Sequence, residues 1–144
     1  MTVEVCLEAL VWLEKISRAL EAGYVFTIDY GYTRAESIRF PEGTLMSYRR
    51  HVADEDVLRR PGEQDITAHA AFTALQEHGA ELKLETVRFE TLAQTLLAAG
   101  EEDHFREALD GATPAEELRR RLQLKTLLVG MGETFRTLIQ RKQR

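Results

Sequence analysis

Tyr24-Val25-Phe26-Thr27-Ile28-Asp29-Tyr30-Gly31 is the stretch that decides the fold. Its first five residues are β-branched or aromatic and apolar toward both sides, as a short strand buried on both faces requires. Asp29-Tyr30-Gly31 then places polar and turn-forming groups at the strand's carboxyl end. Upstream, Ala9, Trp12, Leu13, Ile16, Ala19 and Leu20 recur at steps of three and four among Glu8, Glu14, Lys15 and Arg18. That spacing predicts an amphipathic helix from Val5 to Leu20, stopped before the strand by Gly23, with Trp12 and the rest of the apolar stripe in the core. A helix feeding a buried strand is the unit of an α/β layer.

Downstream, residues 32–64 keep no sustained period and hold Pro41, Gly43, Pro61 and Gly62, so they read as a long insertion loop over the strand ends. Thr44-Leu45-Met46-Ser47-Tyr48 is a short strand-like island within it. Asp65 is read as the N-cap of a helix through Phe72 and Leu75 that closes at Gly79. Leu82, Leu84, Thr86 and Phe89, interleaved with Lys83, Glu85 and Arg88, suit a half-buried strand. A helix from Leu92 to Ala99 ends at Gly100, and Glu101 to Leu109 reads as a short charged helix. Thr113-Pro114-Ala115-Glu116 is a capping box with proline in the first helical position, predicting a helix through Leu128. Gly130-Met131-Gly132 is expected to break it, and Thr134 to Gln140 to form a last strand. The expectation is one α/β domain over residues 1–144, with three strands and about five helices.

Composition bounds the function. The chain has 144 residues, 44% hydrophobic and 30% charged, enough for one core. Its formal charge of -5 supplies no basic field for nucleic acid or for an anionic membrane surface. Cys6 is the one cysteine, which leaves no internal disulfide and no cysteine-based zinc cluster, and a cytoplasmic setting is expected. No apolar run approaches the ~20 residues a membrane span needs, and no signal-peptide pattern opens the chain. His51, His69, His78 and His104 are scattered, so no metal site is expected, and Ser37 and Ser47 lack the setting of a hydrolase nucleophile.

Two places concentrate chemistry. Asp29-Tyr30-Gly31 stands where open α/β sheets carry ligands, although a strand-end turn explains the same residues. Gln64-Asp65-Ile66-Thr67-Ala68-His69 crowds bonding and titrating groups together, although an N-cap and an ordinary helix histidine explain these too. The Glu116, Glu117, Arg119, Arg120 and Arg121 run is a solvated helix face.

Four words in register extend the reading. Gly23-x4-Ile28-Asp29-Tyr30-Gly31-Tyr32, Gly43-Thr44-Leu45-x2-Tyr48-x2-His51, Pro61-Gly62-x2-Asp65-Ile66-Thr67-Ala68-His69-x2-Phe72 and Met131-Gly132-x2-Phe135-x2-Leu138 resemble the second half of the MidA family. Glu4-Val5-Cys6, followed by Trp12, resembles that family's approach to the strand. The family comprises bacterial proteins and the mitochondrial protein arginine methyltransferase needed for respiratory complex I assembly. The resemblance implies the carboxyl-terminal part of a Rossmann-like class I methyltransferase sheet of order 3-2-1-4-5-7-6. Residues Tyr24–Asp29 would be strand five, Leu82–Phe89 strand six, and Thr134–Gln140 the antiparallel strand seven between them.

S-adenosyl-L-methionine is the implied cofactor of the complete enzyme. Its Gly-rich turn and acidic residue would precede Met1, so no cofactor-binding residue and no bound cofactor are expected in this chain alone. A protein substrate is implied. Asp29 and His69 become the candidate catalytic groups, and Tyr30, Gly31, Tyr48, Asp65 and Thr67 the candidate acceptor-binding groups. Strand five, without strand four, would expose an apolar edge that favours a homodimer or pairing with the missing amino-terminal half. A non-catalytic interaction module is the competing expectation.

Overall fold

The computed structural model describes residues 4–144. Helix α1 (Leu7–Ala19) leads into strand β1 (Gly23–Tyr32). An insertion follows, holding a single 3-10 turn (Glu36–Arg39) and strands β2 (Met46–Arg49), β3 (Val52–Asp54) and β4 (Asp65–Thr67). The two-residue strand β5 (Ala70–Ala71) returns the chain to the main sheet, and α2 (Phe72–Glu81) and β6 (Leu84–Thr91) complete the first layer. Helices α3 (Leu92–Gly100), α4 (Arg106–Leu109), α5 (Pro114–Thr126) and α6 (Gly132–Thr134) precede β7 (Phe135–Lys142).

The main sheet runs β5-β1-β7-β6. β7 lies antiparallel to both long neighbours, with Gly23 and Leu84 each paired to Lys142, and β5 is parallel to β1 at Gly31 and Tyr32. This is the expected 5-7-6 order with its inserted antiparallel strand. The sequence reading broke the period of two between Thr86 and Phe89, and a β-bulge between Thr86 and Arg88 accounts for the break. The extra residue keeps Leu84 and Phe89 on one face, where Phe89 pairs across to Leu138.

Helices α1 and α2 cover that face. Leu13, Phe72, Leu75, Leu84 and Leu138 form the buried centre, with Val25, Leu82 and Phe89 packed against it. Gln140 is fully buried on the same face, donating to the Leu75 carbonyl, in space left by the missing side chain of Gly79. Helix α3 covers the opposite face of β6 and β7: its Thr95 hydroxyl donates to Glu90, whose cross-strand partner Thr137 is fully buried.

Over β1 that opposite face is bare. Tyr24, Phe26, Ile28 and Tyr30 alternate along it at 57%, 60%, 51% and 46% exposure. The expectation of a strand buried on both sides holds only for the Val25 face. Trp12 and Ile16 are exposed as well, which corrects their reading as core; α1 buries Leu13 and Ser17 instead. Beyond Tyr30, β5 is the only strand on the outer side of β1 among the described residues, so most of that edge is open.

Other boundaries differ from the sequence reading for local reasons. Asp65 caps no helix: Asp65-Ile66-Thr67 is a strand paired to Met46–Tyr48, and α2 begins at Phe72. The strand-like island read within the 32–64 insertion is β2, which pairs with β3 and β4 in a three-stranded sheet, β3-β2-β4. Glu101–Leu109 forms only the one turn α4, because His104 and Phe105 take left-handed backbone and the Phe105 ring packs on Gly100. Gly130-Met131-Gly132 does not break the helix; a π-helical turn (Leu127–Met131) carries it into α6. Gly132 serves close approach, since a Cβ there would stand 2.8 Å from the Cβ of Ala93. The Thr113 and Glu116 capping box forms as read, and Thr91 and Gln94 make a second one at the start of α3.

Candidate functional site

The insertion lines a hollow of about 510 Å³, and its wall residues Phe40 and His69 pack against Tyr32 and Tyr30 at the carboxyl end of β1. Alternation along β2 and β4 turns Met46, Tyr48 and Thr67 toward it, and Phe40, Glu42, Thr44, Glu55 and His69 complete its wall. No lysine or arginine lines it. Carboxylates, aromatic rings and one imidazole together suit a cationic guest.

His69 is held from two directions. Its backbone N–H donates to the Thr44 hydroxyl at 2.9 Å. Its ring stacks near Tyr30, centroids 6.4 Å apart, and meets Phe40 edge-on at 5.3 Å. Tyr30 in turn lies against Phe135 and Phe40 against Tyr32.

Glu4 anchors this wall, and the sequence reading did not single it out as a site residue. Its carboxylate accepts from the Thr44 hydroxyl at 2.6 Å, the Thr44 amide at 2.8 Å and the Leu45 amide at 3.0 Å. Gly43, at φ +95°, lets the loop approach so closely that a Cβ would stand 2.4 Å from the carboxylate. Burial pushes the Glu4 carboxyl up, but the Thr44 and Leu45 hydrogen bonds and nearby His69 outweigh it and hold it below the ordinary value. The Tyr32 hydroxyl is pushed up by burial and by the Glu4 charge.

A pH dependence follows from the sign. A depressed folded-state value stabilises the clamp above the unfolded carboxylate range near ~4.3, and that stability is lost as pH falls through the folded-state value. The Thr44 and Leu45 amide resonances should therefore shift on acidification between roughly pH 5 and 2. In Glu4→Gln the same resonances should stay flat; movement identical to wild type would remove Glu4 from the clamp.

The structure gathers some candidate residues and separates others. Tyr48, Thr67 and His69 share the hollow, and Tyr30 supports His69. Asp65 is in β4 opposite Tyr48. Gly31 makes no turn; it lies within β1, where a Cβ would stand 2.4 Å from both the Ala70 carbonyl and the Phe72 ring. Asp29 is not joined to His69 by any hydrogen bond or ion pair found among the described residues. Its carboxylate accepts from the Tyr30 amide at 2.8 Å, and it faces Arg136 across the strands. Arg136 pairs with Glu36 at 2.9 Å, and Glu36 is held low by the Thr33 amide first, then the Thr33 hydroxyl, Arg136 and Arg39, against burial. This pair ties the start of the insertion to β7.

Residues 1–90 match the family described as "Putative S-adenosyl-L-methionine-dependent methyltransferase". The chain belongs to that family. A solved COG1565 superfamily protein from Burkholderia thailandensis is 32% identical with a TM-score of 0.77, over 92% of this chain and 36% of that one. A second COG1565 superfamily structure from Burkholderia thailandensis, bound to S-adenosyl-homocysteine, is 30% identical with a TM-score of 0.75, over 92% and 35%. The chain therefore spans about a third of the length of these solved methyltransferase-like relatives. No curated protein matches it. The family match covers α1 through most of β6, including every wall of the hollow. Among the described residues, no helix is long and apolar enough to cross a membrane, and no group of three or more histidine, cysteine, aspartate or glutamate residues is arranged to hold a metal.

Proposed function

We propose that this chain is the acceptor-side, carboxyl-terminal part of a MidA-type methyltransferase that modifies a protein arginine when joined to a cofactor-holding part. The hollow beside β1 carries the reading. Phe40 and Tyr48 offer ring faces, Glu42 and Glu55 offer carboxylates, and no positive side chain competes for a guanidinium. The His69 imidazole, beside the Tyr30 ring, is the group suited to orienting or deprotonating the guanidinium N–H. Asp29 is the second candidate base, offered from the neighbouring strand position.

The residues present do not fit S-adenosyl-L-methionine. The sequence holds no Gly-rich strand-to-helix turn, and the turns into α2 and α3 are built on Ala71 and the Thr91 capping box. Donor binding is accordingly assigned to residues outside this chain, and no step here is routed through the donor.

In an extended form carrying the donor-binding part, His69→Asn should slow transfer to an arginine peptide by about 10²- to 10⁴-fold at fixed donor occupancy. Asp29→Asn, assayed beside it, separates the two candidates. Undiminished rates in both variants would sink the assignment.

A second reading rests on a different observation, the bare face and open edge of β1. Unpaired strand edges recruit strands, so the chain on this reading is a pairing module for a second copy or for the cofactor-holding part. Sedimentation equilibrium should show self-association of the chain alone, and a monomer at the highest concentration counts against it. Calorimetric binding of S-adenosyl-L-methionine by the chain alone would overturn the division of labour.

A further inference from the structure

The insertion sheet has a second face, and its chemistry is opposite to the first. Ser47 and Arg49 alternate with Met46 and Tyr48 along β2, and the pairing Ser47 to Asp54 and Arg49 to Val52 sets those four residues on the side away from the aromatic hollow. There, with Arg50, Arg59, Arg60 and Gln64, they line a separate hollow of about 280 Å³. Four guanidiniums and one carboxylate meet in a chain whose formal charge is -5.

Two of the four are already committed. Arg59 pairs with Asp54 at 2.8 Å and lies 3.6 Å from Asp56, and Arg49 pairs with Glu63 at 3.5 Å. Arg50 and Arg60 form no ion pair found among the described residues. The turn that presents Arg50 is strained in an informative way. Arg50 and His51 are the two central residues of the β2–β3 hairpin, both left-handed at φ 49° and 65°. Asn-Gly fills such turns at low cost, whereas arginine and histidine do not, and held strain of this kind accompanies functional positions.

We propose that this face is an oxyanion site for a phosphate or carboxylate group, ligated by Arg50 and Arg60 and framed by Arg49 and Arg59. The guanidinium fork matches both oxyanions in a bidentate manner. The site is independent of the methyltransferase reading, since it lies on the other face of the sheet.

Arginine side-chain NMR on the chain tests it. Titration with inorganic phosphate and, separately, with a triglutamate peptide at constant ionic strength should move the Arg50 and Arg60 Nε–H resonances along a saturating curve. Arg18, paired with Glu14 on α1, serves as the internal control and should not saturate. The stronger arm identifies a tetrahedral or a carboxylate guest. The double variant Arg50→Gln/Arg60→Gln should weaken the better ligand by about tenfold or more, with the Ser47, Tyr48 and Ile66 amides unchanged as the check on folding. Shifts no larger than those of Arg18 in both arms would overturn the proposal, as would full saturation in a folded double variant.

Discussion

Phe72→Ala should lower the stability of the chain by about 3–5 kcal/mol, read as a fall in the urea midpoint at unchanged slope. Phe72 is fully buried, heads α2, packs at a tilt against Phe89 with centroids 5.1 Å apart, and fills the space that Gly31 leaves in β1. One ring thereby holds three elements together. Truncating it deletes the transfer energy of the ring and leaves a cavity bounded by β1, β6 and the helix, which can collapse only by moving all three. A loss below about 1 kcal/mol would mean that the core closes around Leu75, Leu84 and Leu138 without it.

Gly31→Ala is the mirror experiment, adding one methyl where Phe72→Ala removes a ring. The new Cβ would meet the Ala70 carbonyl and the Phe72 ring, both at 2.4 Å. Neither neighbour is the free end of a flexible side chain, so the conflict is relieved only by moving β5 or the ring. Overpacking of this kind costs about 1–3 kcal/mol. It also has a local signature, because Ala70 directly follows His69: the ring-current shifts that Tyr30 and Phe40 impose on His69 should change. Gly130→Ala, where nothing lies within 4 Å of the added carbon, is the control and should leave both readouts nearly unmoved.

The parts of the fold legible in the sequence were those with a sustained period or a paired signal. Period two and β-branched composition found β1, β6 and β7, and Thr113 with Glu116 announced α5. The insertion escaped because β3, β4 and β5 are two or three residues long, too short for any period to register. Asp65 before an apolar run imitates an N-cap; only the pairing of Asp65 to Tyr48, Ile66 to Ser47 and Thr67 to Met46 makes that segment a strand. The glycines of 130–132 were read as conformational breaks when at Gly132 the demand is spatial, set by Ala93.

The site shows the same division. Tyr48, Thr67 and His69 fit a family pattern and share one hollow, whereas Asp29, the alternative candidate base, accepts from the Tyr30 amide. Glu4 was quoted only as part of the approach to the strand. Its importance lies in three hydrogen bonds across about forty positions, and no local pattern carries that information. The bare face of β1 is not legible in its own residues, since Tyr24, Phe26 and Ile28 look like core; only the family resemblance, with strand four missing, leads to an expectation of exposed apolar surface there.

The placement of β7 has a consequence for biogenesis. From Gly23 to Tyr30, β1 pairs with β7 alone, Gly23 meeting Lys142 and Tyr30 meeting Phe135, and β6 reaches the sheet only through β7 as well. On a ribosome adding roughly 5–20 residues per second, β1 emerges several seconds before its partner exists. Throughout that interval Tyr24-Val25-Phe26-Thr27-Ile28 is an uncharged, β-prone segment without proline, the composition that nucleates cross-β aggregates. Production of the soluble chain should therefore depend on chaperone capacity and on translation speed between Tyr32 and Phe135 more than on the equilibrium stability of the finished sheet.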